Sequence, residues 1–284
     1  MNLIIGVIIV VSAVLGGFVL SHGELIALWQ PFELLIIGGA SAGAFIIANP
    51  SSVTKRTFQQ LPQLLTGQKF TKTYYIEMLS LFYQLFNLMR RKGLIAVEEH
   101  IDDPRNSVLF RRFPQVSKDS HVIEFICDYL RLMVIGDMNA YEIENLMDIE
   151  LETHHHEQMG PSTALTKVAD ALPGFGIVAA VLGIVITMGA LGGPPEELGL
   201  HVAAALVGTF LGILIAYGFV APMANSLEAK ADQEYKFYES MKVCLLANIN
   251  GMPPQIAVEF GRKTLTSDVR PTFYELEEMV KGRS

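Results

Sequence analysis

Four long apolar runs alternate with polar, charge-bearing stretches along the 284 residues. Leu3–Leu20 holds 18 residues without an ionisable side chain, Leu34–Ala48 holds 15, Ala171–Leu191 holds 21 and Leu198–Ala224 holds 27, with His201 the only Asp, Glu, Lys, Arg or His in the last. A helix needs about 20 residues to cross the bilayer. The second run reaches that length only with Pro31, Phe32 and Asn49 at its edges. The pattern therefore predicts four transmembrane helices. No Lys or Arg precedes the first run, and Ser21-His22-Gly23-Glu24-Leu25 after it has no small-x-small cleavage site, so it reads as a retained span rather than a signal peptide.

Between the runs the apolar period is helical. Val53–Leu65 places Phe58, Leu61 and Leu65 at helical spacing with Lys55 and Arg56 toward headgroups, which fits an interfacial helix. Tyr74–Arg90 carries Leu81, Leu85 and Leu88 on one stripe and ends in Arg90, Arg91, Lys92 and Gly93, cations followed by a glycine stop. Ser120–Ile135 buries Phe125, Tyr129 and Leu132, and Asn139 caps a long helix through Glu144, Asp148 and Glu152 that Gly160 and Pro161 are expected to interrupt. Ala224–Ile249 continues the fourth run as another long helix. No strand pattern competes. The expected class is an all-α membrane protein: four transmembrane helices, a large helical cytoplasmic domain between helices 2 and 3, and a helical cytoplasmic tail. The expected divisions are 1–49, 50–167, 168–224 and 225–284.

Composition agrees with that picture. Apolar residues make up 51% and charged residues 18%, with mean hydropathy +0.37, against about 25% charged residues in soluble domains. Charge also orients the chain. Thirteen Lys and Arg lie from Lys55 to Lys167 and eight from Lys230 to Arg283, with none in the Ser21–Pro31 or Gly192–Glu197 connections. The positive-inside rule then puts both termini, the middle segment and the tail in the cytoplasm. A net charge of −8 gives no basis for a nucleic-acid partner. Cys127 and Cys244 are read as free thiols. Consecutive His154, His155 and His156 point about 100° apart on a helix, so no metal is expected there and a solvated polar helix is.

The span interiors contain no Asp, Glu, Lys or Arg, and Glu33 and Asp170 stand at the edges. Cation and proton paths normally depend on an intramembrane ionisable group, so a partner chain must bring one if this protein moves ions. The fourth run carries a small-residue stripe, Ala204, Gly208, Gly212 and Ala216; on the third, Ala179 and Gly183 lead to Thr187, with Gly176 and Ala180 alongside. Such stripes serve close helix packing, within one chain or between chains. Pro173 and Pro222 lie near the cytoplasmic ends of the third and fourth runs, read as one depth, and Pro222 should kink its helix.

Leu172–Gly183, Val207–Leu214, the Ala216–Phe219 run before Pro222, Val258–Leu265, Gln30–Gly39, Asp128–Leu132 and Met147–Glu150 resemble flagellar motor stator A subunits over nearly the whole chain. The resemblance implies a pentamer of A subunits around two B subunits. Each B subunit would have one span, a peptidoglycan-binding domain and the essential aspartate. It further implies contact with a rotor switch-complex protein through charges matching Arg90 and Glu98, with Arg91 and Glu99 as neighbours. The family's functional prolines match Pro173 and Pro222, and Thr209 and Tyr217 match polar positions near the ion path. Sodium-driven relatives place a hydroxyl where Ala180 stands, so the implied ion is the proton.

The main alternative is an energising subunit of the Ton or Tol systems, which resembles this family in its last two spans but normally has three. No Ser/His/Asp constellation or phosphate-cradling loop suggests an enzyme, and no cofactor is expected.

Overall fold

The first apolar run folds into α1 (Asn2–Leu20) and, after a 3₁₀ turn at Leu25–Leu28, the second into α2 (Pro31–Ala48). Pro31 takes the first helical turn, where its missing N–H costs nothing. This extends the short run to 18 residues, about 27 Å of helix. A computed structural model describes residues 2–189, 192 and 194–282, and all regular structure among them is helical. α3 (Ser51–Gln60), a 3₁₀ turn at Leu61–Leu65 and α4 (Lys72–Lys92) follow. Then come a 3₁₀ turn at Leu94–Val97 and the short helices α5 (Glu98–Asp102), α6 (Val108–Arg111) and α7 (Pro114–Ser117). α8 (Ser120–Ile135), α9 (Ala140–Gly189), α10 (Pro195–Ile215), a π-helical turn at Ala216–Val220, α11 (Ala221–Ile249), α12 (Pro254–Thr264) and α13 (Phe273–Gly282) complete the chain. Four of these helical stretches are long and apolar enough to cross a membrane.

The caps explain most boundaries. The Thr71 hydroxyl accepts a hydrogen bond from the Tyr74 amide at 3.3 Å at the start of α4, and Gly93 stops it at φ 86°. Asn139 and Glu142 cap α9 reciprocally, with bonds of 2.8 and 3.0 Å. The expected interruption at Gly160 and Pro161 does not occur, because α9 is continuous over 50 residues. A proline removes one N–H, and the flanking turns hold when packing supports them. Here Pro161, Ser162 and Ala164 are buried, and the space beside Gly160 is met by Val53 Cγ2 at 3.5 Å.

The chain divides into two compact units, one running up to Gly67 with Gln158–Lys230, the other Gln68–Glu157 with the residues from Ala231 on. The first contains the apolar runs and α3. The second does not follow the expected split into middle segment and tail, because one core takes side chains from both. Met78, Leu81, Phe82 and Leu85 of α4, Val122 and Ile126 of α8, and Phe237, Met241 and Leu245 of α11 are all fully buried. α12 crosses α11 at a glycine. A Cβ on Gly261 would collide with Cys244 Sγ and stand 3.0 Å from the Ser240 carbonyl oxygen. Arg262, 7% exposed, grips Glu259 with two bonds of 2.6 Å and donates to the Pro271 carbonyl at 2.7 Å, holding the turn that leads into α13. Both cysteines are free and buried; burial pushes the Cys127 thiol up to about 12 and that of Cys244 higher still, so neither is a ready nucleophile.

Candidate functional site

In the first unit α9 and α10 meet along a seam of small residues. A Cβ on Gly176 would lie 3.0 Å from the Gly208 carbonyl oxygen and 3.2 Å from Gly212 Cα, and one on Gly183 would lie 3.0 Å from Ala205 Cβ. A Cβ on Gly212 would lie 2.8 Å from the Leu172 carbonyl oxygen. Side-chain-free surfaces let the backbones approach where lipid supplies no hydrophobic drive. Gly208, Gly212 and the fully buried Ala216 lie in this seam, Ala216 in a cluster with Leu172 and Ala179. Ala204 does not; it is half-buried, and Ala205, 3% exposed, takes the place facing Gly183. At 100° per residue, the step from 208 back to the seam is three residues rather than four.

Two of the candidate ion-path positions, Thr209 and Ala180, lie at mid-seam. Thr209 Cα is 3.4 Å from where a Gly176 Cβ would stand, and the Ala180 amide nitrogen is 3.4 Å from the corresponding point on Gly208. Tyr217, two turns further along, is 63% exposed and outside this contact.

The two prolines are not level. The antiparallel register sets Gly176 against Gly212 and Gly183 against Ala205, which puts Pro173 about three residues beyond Gly212, near Ile215. Pro222 lies about seven residues further along the fourth span, some 10 Å at helical rise. Pro173 sits inside α9 with no break in the helix. Pro222 follows the π-helical turn Ala216–Val220, and Val10 Cγ1 stands 3.2 Å from the space beside Gly218 in that turn. A proline cannot donate to the carbonyl four residues back, and widening the preceding turn is one way a helix absorbs that loss. The expected kink thus takes the form of a local change in helical pairing.

Glu33 departs furthest from expectation. It stands in the first turn of α2, at the edge of the apolar run, yet its side chain is only 9% exposed and its Oε2 is buried without a hydrogen-bond partner. Its Cγ lies 3.5 Å from the space beside Gly208. Residue type and position along the run hid this; only the α2–α10 contact reveals it.

In the second unit Arg90 and Arg91 end α4, and Glu98 and Glu99 begin α5. All four are exposed, and among the described residues none makes an ion pair. Their backbone is nonetheless well anchored. Met89 is buried before Arg90, Val97 is fully buried before Glu98, and Gly93 turns the chain between them. Cations at a helix C-terminus and carboxylates at the next N-terminus both suit the backbone dipoles. Beside Arg91 a groove of about 370 Å³ runs over Tyr83 and Leu88 toward Val108, with Lys92 and Arg112 at its rim.

The histidines differ from the solvated reading. His154 Nε2 lies 3.1 Å from Glu234 Oε1 and its ring 5.1 Å from that of Tyr238, while His155 faces Asp232 at 3.7 Å and its ring lies tilted, 4.8 Å from that of Tyr235. His156 alone is exposed. The pair joins α9 to α11, and among the described residues no group of three His, Cys, Asp or Glu side chains is placed to hold a metal.

Residues 4–93 match the family model "Motility protein A N-terminal", and residues 117–240 match the "MotA/TolQ/ExbB proton channel family". The motility proteins A of Salmonella typhimurium and Escherichia coli are each 47% identical over 282 residues, covering 99% of this chain and 96% of theirs. Chemotaxis protein LafT of Vibrio parahaemolyticus is 40% identical, with 98% of each chain covered. Among solved structures, the flagellar MotAB stator complex from Bacillus subtilis aligns with a TM-score of 0.72 at 29% identity, over 90% of this chain and 92% of that one. The MotAB structure of C. jejuni aligns with a TM-score of 0.78 at 20% identity, over 94% and 96%, a likeness of fold.

Proposed function

The chain belongs to the motility protein A family, and we propose that it conducts protons with a B-subunit partner and delivers the resulting motion to the flagellar rotor. It is a stator subunit of the flagellar motor, membrane-embedded, and it forms a proton channel with that partner. The observation that carries this is the likeness to motility protein A along 99% of the chain. A Ton or Tol energiser accounts only for the shared channel region, 117–240, and leaves the motility-specific match at 4–93 unexplained.

The finer reading has both termini, the middle segment and the tail in the cytoplasm, supported by the placement of Lys and Arg. Five copies surround two B subunits, whose single spans bring the essential aspartate. Ala180 offers no side-chain oxygen to a metal cation, and Thr209 supplies a hydroxyl beside the seam. Proton arrival at the partner's carboxylate shifts the third and fourth spans against each other. The all-glycine contact at Gly176 and Gly212 offers little side-chain interlock to oppose that sliding. The turn before Pro222 is the natural place for bending, since π turns carry weaker helical pairing. Each proton crossing 100 mV releases about 2.3 kcal/mol, enough to drive such a small rearrangement. Arg90, Arg91, Glu98 and Glu99 present the exposed charges that meet the rotor switch-complex protein.

The test is swimming speed in a strain without its native stator, supplied with this chain and its B partner at fixed pH, with and without sodium. Sodium-independent swimming is expected. Swimming only with sodium would overturn the proton assignment, and none despite verified assembly with a compatible rotor would overturn the stator reading.

A further inference from the structure

Buried polar side chains in the first unit normally find partners on their own helix. Thr187 donates to the Gly183 carbonyl and Thr57 to the Val53 carbonyl, each at 2.8 Å. Among the described residues, two side chains do not. Glu33 Oε2 and Ser41 Oγ are both buried and unpartnered. They lie eight residues apart on the buried face of α2, with Ile37 between them at 0% exposed, about 12 Å along the helix. An unpaired carboxyl at such a place is costly, by several kcal/mol if charged. Packing alone gives no reason to keep it.

Its position gives one. The absence of a side chain at Gly208 leaves room that Glu33 Cγ approaches to 3.5 Å, and the same point lies 3.2 Å from Ala179 Cβ and 3.4 Å from the Ala180 amide nitrogen. Glu33 therefore reaches the seam at the level of Ala180. We propose that Glu33 is a proton-binding station contributed by this chain itself, handing protons to and from water near the middle of the third and fourth spans. The step is a proton transfer without electrons. Carboxylate Oε2 takes a proton from hydronium and leaves water, then returns the proton to water on the side of the B subunit's carboxylate. Ser41, able to donate and accept, supplies a second polar point on the same face. This rests on the stator reading above.

The experiment reconstitutes the complex of this chain with its B subunit into vesicles, imposes a membrane potential and follows proton entry with an internal pH dye. Wild type, Glu33→Gln and Glu33→Asp are compared, with partner co-purification measured for each. The wild-type arm tests the stator reading by itself, and the ratios to it test Glu33. Glu33→Gln, nearly isosteric but unable to take up a proton, should assemble normally and pass protons roughly tenfold more slowly or worse, a modest effect for a positioned proton-transfer group. Glu33→Asp should recover part of the flux. A Glu33→Gln complex that conducts at the wild-type rate, or one that no longer assembles, would assign Glu33 to packing and overturn the proposal.

Discussion

Gly212 and Gly176 meet so closely that a Cβ on Gly212 would lie 2.9 Å from Gly176 Cα. At that separation neither helix can carry a side chain toward the other without moving backbone. Gly212→Val should therefore force the seam open, costing about 1–3 kcal/mol as an overpacked contact does. The same change at half-buried Ala204 should cost much less. Heat-stability of the detergent-extracted complex measures the difference; equal losses at both positions would contradict the seam.

Arg90→Glu should reduce swimming speed severalfold while membrane level and partner co-purification stay normal. The side chain is exposed at the end of α4, and exposed substitutions usually change stability by about 0.5 kcal/mol or less. Wild-type swimming would remove Arg90 from the rotor contact.

Gly261→Ala should destabilise the second unit by about 1–3 kcal/mol, because its new methyl collides with Cys244 Sγ. Adding Cys244→Ala removes the sulfur and should restore part of the loss. Recovery stays incomplete, since the Ser240 carbonyl remains at 3.0 Å. Urea midpoints of the three variants check this.

The tail helix should loosen at low pH. A hydrogen bond from Lys72, then bonds from Thr272, hold the Glu275 carboxyl down to about 2 from its ordinary 4.5. A depressed carboxyl contributes stability that is fully present above its unfolded value and is lost as pH falls through the folded one. The melting difference between wild type and Glu275→Gln should therefore hold steady above about pH 5 and vanish toward pH 2. A difference that grows on acidification would refute the pairing.

Pro222→Ala should restore an N–H donor to the fourth span and let ordinary α-helical pairing replace the π turn at Ala216–Val220. Swimming should slow with assembly intact, and Pro173→Ala should likewise disturb coupling more than assembly. A structure of Pro222→Ala that keeps the π turn would separate the turn from the proline.

Sequence alone determined what depends on local pattern: four spans from run length, α4 and α8 from apolar period, the start of α9 from Asn139, and the helix stop at Gly93. These rest on interactions within a few residues, and composition reports them directly. The family was legible too, because its motifs lie along the whole chain. Tertiary structure decided what depends on which faces meet. It replaced Ala204 with Ala205 in the seam, since a helix fixes a stripe only to within a residue until its neighbour is in place. It set Pro173 and Pro222 at different levels, because antiparallel register is a property of two helices and not of either one. It joined tail and middle segment in one core through contacts more than a hundred residues apart in sequence. Above all it buried Glu33: the sequence places this acid only at the edge of an apolar run, and the approach of α2 to the side-chain-free surface of Gly208 on another helix puts it inside.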